Sequence, residues 1–129
     1  MTVPVRIYQL FDDGDVAGID DVVAPDMIDH NPVPGAETGI DGLRLLVAAV
    51  RDGFTGTRHE VIYQGETADG WTVCQWRMTG THTGPWFGTA ATGRAVSFTG
   101  IDLMRVVDGK VTELRHAEEL LQLTAQLTA

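Results

Sequence analysis

The sequence predicts an α+β fold, a cone-shaped barrel in which three N-terminal helices pack on a curved antiparallel sheet of about four strands, with a short C-terminal helix after it. Three observations predict it. Apolar residues recur at spacings of three and four as far as Val50, and they alternate with period two from Arg58 to Ala117. Two Asp-Gly pairs, Asp69-Gly70 and Asp108-Gly109, punctuate the alternating stretch as hairpin turns. Helices before strands in this order lie together on one face of the sheet. A strongly bent sheet covered in that way encloses a cavity. With 129 residues and one cysteine, the chain is expected to be a single domain over 1–129, large enough to bury a core without disulfides or metal.

The elements follow in order. From Pro4 to Phe11, Val5, Tyr8 and Phe11 share a helical stripe that ends at the acidic turn Asp12-Asp13-Gly14-Asp15. From Val16 to Val23, Val16, Ile19, Val22 and Val23 predict a second short helix closed by Pro25. Asp29-His30-Asn31-Pro32-Val33-Pro34-Gly35 is a loop, because each proline drives the residue before it to extended backbone. Ile40, Leu43, Leu46, Val47 and Val50 form one stripe of a third helix, fronted by Thr38 or Asp41 and closed by Asp52-Gly53.

Strands are then predicted over Arg58–Glu66, Trp71–Thr81, Ala95–Val107 and Lys110–Ala117, the second setting Cys74, Trp76 and Met78 against Gln75, Arg77 and Thr79. The connection from His82 to Arg94 holds Trp86-Phe87, two adjacent aromatics that are expensive to expose and suit a lid. Helical spacing returns from Glu119 through Leu120, Leu123 and Leu127. Pairing outward from the Asp108-Gly109 turn sets Met104 against Glu113 and Asp102 against Arg115. That register puts Gly100, Asp102, Met104, Glu113, Arg115 and Ala117 on one face, with Glu119 in phase. His116 falls on the opposite face as a structural or interfacial residue, and His59 and His82 are read as surface and turn residues.

Composition narrows the partners. The formal charge is −9 with a pI near 4.6, and the acids before residue 42 face a single basic residue, Arg6. Nucleic acid and anionic membrane surfaces are poor partners for such a chain. No apolar run approaches the roughly 18 residues of a membrane span, and the N-terminus lacks signal-peptide order, which points to a cytoplasmic protein. Cys74 reads as a small buried hydrophobe. No His or Cys pair has metal-ligand spacing, no glycine-rich phosphate loop is present, and Ser97 lacks a nucleophile context.

Several motifs together resemble the SnoaL-like polyketide cyclase branch of the nuclear-transport-factor-2-like superfamily. They are Ala24-Pro25-Asp26-Met27-Ile28-Asp29-His30-Asn31-Pro32, Gly80-Thr81-His82-Thr83-Gly84, Thr92-Gly93-Arg94, Gly100-Ile101-Asp102, Arg105 with Asp108-Gly109-Lys110-Val111 and Glu113, and Gln126-Leu127. The resemblance implies a homodimeric cone with no metal or organic cofactor. It also implies enolate-based, aldol-type ring closure of a hydrophobic, aromatic or polycyclic intermediate.

The resemblance places the catalytic carboxylate at Glu119, where the family has Asp, and puts Arg115 where the family frequently has Trp. His30 and Asn31 fall in the pocket-mouth loop. The candidate catalytic residues are therefore Glu119, Asp102 and His30. Arg115, Asn31, Trp76, Trp86, Phe87, Phe98 and Met104 are the candidate substrate-binding residues. Two related branches offer alternatives. Ketosteroid isomerases carry an oxyanion-stabilising Asp that corresponds to Asp102, although their base Asp is Asn31 here; limonene-type epoxide hydrolases use an Asp-Arg-Asp cluster that Asp102, Arg115 and Glu119 imitate. A non-catalytic binding domain is the alternative outside enzymology. Glu119 also begins a helix, where a carboxylate favours the dipole, and Asp102 with Arg115 also makes a plausible cross-strand ion pair.

Overall fold

The computed structural model describes residues 1–32 and 37–128. Helix α1 (Val3–Asp13) leads through a 3₁₀ turn (Ala17–Asp21) into strand β1 (Val23–Asp29). Helix α2 (Gly39–Gly53) precedes β2 (Phe54–Glu66), β3 (Trp71–His82), β4 (Ala95–Val107) and β5 (Lys110–Glu118), and α3 (Leu120–Thr128) follows. The strands form one open sheet in the order β1-β5-β4-β3-β2. Irregular register in β2 at Thr55/Arg58 and Val61/Tyr63 bends it. The helices cover its concave face.

Each boundary has a local cause. Pro4 occupies the first turn of α1, where its missing N–H costs nothing, and Gly14 ends the helix at φ 66° with its N–H on the Leu10 and Phe11 carbonyls. Asp108 (φ 52°) and Gly109 (φ 78°) both take positive φ, as a type I′ hairpin requires. Ile7, Tyr8, Leu10 and Phe11 of α1 and Val47 and Val50 of α2 meet Cys74, Trp76, Met78, Phe98 and Met104 of the sheet in one core. A Cβ at Gly100 would run into the Trp76 indole, so this glycine lets the ring lie across β4.

The structure corrects three expectations. Val16–Val23 is not a second helix: its spacing of three suits a single 3₁₀ turn, and the residues after it enter a strand. That strand, β1, makes five strands rather than about four. It pairs in parallel with β5 (Val23↔Val111, Asp29↔Leu114), so the sheet is mixed. Pro25 is tolerated there because β1 is an edge. The Val33-Pro34-Gly35 part of the predicted loop lies outside the described residues.

The third correction is the register. Val107 pairs with Lys110 and Val106 with Val111, but Arg105 pairs with Glu113, leaving Thr112 as an extra residue whose hydroxyl donates to the Arg105 carbonyl. Beyond this bulge every side chain changes face. Asp102 is opposite His116, and Leu103 is opposite Arg115. Leu114, His116 and Glu118 point inward, whereas Glu113, Arg115 and Glu119 do not. Deleting Thr112 should leave a regular ladder with Val111, Leu114 and His116 still inward, and should cost no more than about 1 kcal/mol in urea unfolding, the value of the lost Thr112 hydrogen bond. A loss of about 3 kcal/mol or more would contradict the bulge, because a strand without one would turn every later side chain over on losing a residue and bury unpaired charge.

Candidate active site

Helices and sheet enclose a cavity of about 500 Å³. Ile7, Tyr8 and Phe11 of α1, Leu43, Leu46 and Val50 of α2, Trp76, Met78, Phe98, Met104 and Leu114 of the sheet and Leu123 of α3 line it, and Trp86 and Phe87 stand over it. The walls are thus mostly apolar, and few polar groups reach the space.

Asp102 is one of them, and it is buried. Its Oδ2 accepts hydrogen bonds from the Tyr8 hydroxyl at 2.7 Å and from Trp76 Nε1 at 3.0 Å. Among the described residues its Oδ1 has no protein partner, and of these residues' side-chain atoms only His82 Nε2 is both sealed from solvent and unpartnered. Since Asp102 lines the cavity, Oδ1 opens into it. Burial pushes the carboxyl up to about 6, against the Tyr8 hydrogen bond, with the Glu118 charge pushing the same way. Tyr8 is raised too, by burial and by Asp102.

Beside it on β5, His116 is held between two carboxylates. Nδ1 is 2.6 Å from Glu118 Oε1, and Nε2 is 3.1 Å from both oxygens of Asp29. Burial disfavours a charged ring, but the hydrogen bonds to Asp29 and Glu118 outweigh it and push His116 up to about 10. Two carboxylate acceptors require both ring nitrogens to carry protons, so the ring is an imidazolium. Asp29 is lowered despite its own burial, through hydrogen bonds from His116 and from the Asn31 N–H. On β2, His59 also lines the cavity, with Nδ1 2.6 Å from Asp12 Oδ1.

The candidate residues divide between the two faces. Asp102, Trp76, Phe98, Met104, Trp86 and Phe87 line the cavity. Glu119 lies outside it, where its Oε1 accepts from the Thr99 N–H at 2.8 Å and the Thr99 hydroxyl at 2.7 Å, bonds that hold it below the usual carboxylate range. His30 and Arg115 are also outside. His30 Nε2 is 3.0 Å from Glu113 Oε1, and Glu113 Oε2 accepts from Arg105 Nε at 2.9 Å. Arg115 lies over the Trp71 ring at 5.4 Å, with Arg105 at 4.5 Å. Asn31 Oδ1 accepts the His116 backbone N–H at 3.0 Å and so pins the loop to β5. The Asp102-Arg115-Glu119 cluster is not assembled.

His59 and His82 are not surface or turn residues. The His59 side chain is 5% exposed, and His82 is 0% exposed. His82 Nδ1 accepts the Thr92 N–H at 3.2 Å, and its backbone bonds to Gly93 and Arg94 close the base of the loop that carries Trp86 and Phe87. Sequence reasoning missed Tyr8, Asp29, His59, His116 and Glu118 as cavity groups. One signal was present: Val111 and Leu114 are three apart in a strand, and only a bulge puts both on the buried face. Among the described residues, no three His, Cys, Asp or Glu groups are placed to hold a metal ion, and no helix is long and apolar enough to cross a membrane.

An apolar cavity with a few convergent ionisable groups defines a small-molecule site. Residues 2–127 match the family model for SnoaL-like polyketide cyclase, and the chain belongs to that family. It is similar to the aklanonic acid methyl ester cyclase DnrD of Streptomyces peucetius, 29% identical over 103 residues that cover 80% of this chain and 69% of the relative. A solved structure from Bacillus cereus ATCC 10987, assigned as a polyketide cyclase, superposes with a TM-score of 0.83 at 27% identity, covering 97% of this chain and 77% of that one. TsrD from Streptomyces laurentii gives 0.86 at 24% identity, over 98% and 92% of the two chains, and shares the fold. Family and relatives support a cyclase-like role.

The Asp102 carboxyl, ordinarily near 3.8, titrates at about 6 in the folded chain, so the folded state holds that proton more tightly than the unfolded chain does. Its stabilising contribution is complete below about pH 4 and is lost as pH rises through about 6, leaving a buried carboxylate that costs up to about 3 kcal/mol at pH 7. Asp102→Asn, which keeps an acceptor for Tyr8 and Trp76, should therefore gain stability relative to wild type between pH 4 and pH 7 in urea unfolding. A difference independent of pH would contradict the buried carboxyl.

Proposed function

We propose that this chain is a cofactor-independent cyclase that closes a ring by an enolate-based, intramolecular aldol reaction on a carbonyl-bearing, apolar polyketide-type substrate. The observation that supports this most directly is Asp102: a carboxyl in an apolar cavity, one oxygen fixed by two donors, the other free for substrate, and a pKa of about 6. A base raised to that value is still ionised near neutrality and takes a carbon-bound proton more readily than an ordinary carboxylate does.

Asp102 Oδ1 removes a proton from a carbon between or beside carbonyl groups. The resulting enolate carbon adds to a second carbonyl of the same molecule, forming the ring bond and an alkoxide that is then protonated. No net proton or electron is exchanged. The His116 imidazolium opposite Asp102 compensates negative charge in the cavity, and the Asp29 and Glu118 carboxylates keep it charged. Trp76, Phe98 and Met104 give the folded substrate flat and pliable apolar walls, and Trp86 with Phe87 helps to exclude water that would quench the enolate.

One observation favours a second reading. When Asp102 is protonated on Oδ1, its carboxyl becomes a donor into the cavity, backed by the Tyr8 hydroxyl that donates to Oδ2, and a protonated carboxyl of this kind is what an isomerase uses to hold an enolate oxygen. The products separate the readings, since a cyclase makes a new carbon–carbon bond and an isomerase moves a double bond.

Aklanonic acid methyl ester, the compound in the name of the Streptomyces peucetius relative, is the first substrate to test. Wild type should convert it to the cyclised isomer, with kcat falling as pH drops through about 6 because a protonated Asp102 accepts nothing. Asp102→Asn should lower kcat by about 10²- to 10⁴-fold with ligand affinity retained and stability at or above that of wild type. A variant as fast as wild type would remove Asp102 from the mechanism, and tight binding without turnover by wild type would favour a binding domain.

A further inference from the structure

Besides Asp102, a second ionisable group reaches the cavity with a free polar atom. His59 sits on β2 opposite Met78, on the buried face of the sheet. Asp12, at the end of α1, grips it twice: Oδ2 accepts the His59 backbone N–H at 3.0 Å, and Oδ1 lies 2.6 Å from ring Nδ1. The ring stacks on Tyr8, 5.6 Å between centroids and 9° between planes, and meets the edge of Trp76 at 5.1 Å. These are the two residues whose polar atoms hold Asp102 Oδ2. Asp102 and His59 are thus positioned by the same aromatic pair. The Asp12 carboxylate accepts from Nδ1, Nε2 has no protein partner among the described residues, and Nε2 is not one of their sealed, unpartnered polar atoms.

We infer that His59 is a second catalytic residue of this cavity, its Nε2 carrying a proton to the oxygen of the attacked carbonyl while Asp102 works on the carbon, and that Asp12 is its positioning residue. The inference rests on the cyclase reading. In the step, Asp102 Oδ1 takes the carbon-bound proton, the new carbon–carbon bond forms, and the alkoxide takes the proton from protonated His59 Nε2. The proton on Asp102 returns to His59 through water when the product leaves, so atoms and charge balance over the cycle. Asp12 fixes the proton on Nδ1 and the plane of the ring, which aims Nε2 at the substrate. The ligand class is narrowed as well: the carbonyl that is attacked must lie on the α1–β2 side of the cavity, and the acidic carbon beside β4.

Hydrogen–deuterium exchange at the acidic carbon, followed with ring closure in the same D₂O reaction of aklanonic acid methyl ester, separates the two proton transfers. His59→Gln should slow ring closure by about 10²-fold or more while exchange continues at a rate close to wild type and KM stays the same. Asp12→Asn should slow closure by about tenfold, again in kcat rather than KM. It also decides the question if His59→Gln does not fold. Asp102→Asn should lose both readouts.

A folded His59→Gln variant that closes the ring as fast as wild type overturns the inference, and so does one that loses exchange and closure in equal proportion. Closure by Asp12→Asn at the wild-type rate removes Asp12. Wild type that neither exchanges nor cyclises overturns the cyclase reading itself, and the role of His59 with it.

Discussion

A single bulge in β5 decides which charged side chains face the cavity. Without the Thr112 bulge, alternation from the Asp108-Gly109 turn would carry Arg115 into the cavity beside Asp102. With it, His116 arrives there instead, and Glu118 follows. The bulge is favoured by burial: Val111 and Leu114, three residues apart, are both buried. An unbroken strand would expose one of them and bury Glu113, so the hydrophobic gain and the avoided charge burial both favour the extra residue.

The same phase organises the opposite face. There, His30, Glu113, Arg105 and Trp71 form a chain of ion pairing and cation–π stacking that Arg115 completes. Charges in that network are partly solvated and add little chemistry. The inward set lies in apolar surroundings, where each charge acts strongly on its neighbours. Glu118 raises Asp102 and helps to hold His116 as a cation, and His116 in turn opposes the rise of Asp102. Asp29 reaches this set because β1 adds to β5 in parallel and ends beside Leu114, so an edge strand contributes one of the site's carboxylates.

Much of the scaffold was legible in the residues. The α1, α2 and α3 stripes, the alternation of Cys74, Trp76 and Met78, and the Asp108-Gly109 turn each follow from local rules that tertiary structure did not override. Strand β1 was not legible, because Pro25 and the spacing of Val16, Ile19 and Val22 suit helix termination as well as a 3₁₀ turn followed by an edge strand. The cavity was readable only in part. Asp102 and its aromatic neighbours lie on strands with regular alternation and point where period two places them. Residues beyond Thr112 do not, because a bulge inverts parity and no local propensity marks it. His59 was hidden for a related reason: β2 shifts register twice, and its partner Asp12 is 47 positions earlier in the chain.

Glu118 and Glu119 are adjacent in sequence, identical in chemistry and opposite in face, so the ring-closure rates of Glu118→Gln and Glu119→Gln, measured side by side, test the bulged register and the chemistry together. Glu118→Gln should slow closure by about tenfold, because it removes the charge that raises Asp102 and supports the His116 cation. Glu119→Gln should leave the rate unchanged, since its contacts are to Thr99 outside the cavity. Loss of activity in Glu119→Gln with a wild-type rate in Glu118→Gln would contradict both the bulged register and the site built on it.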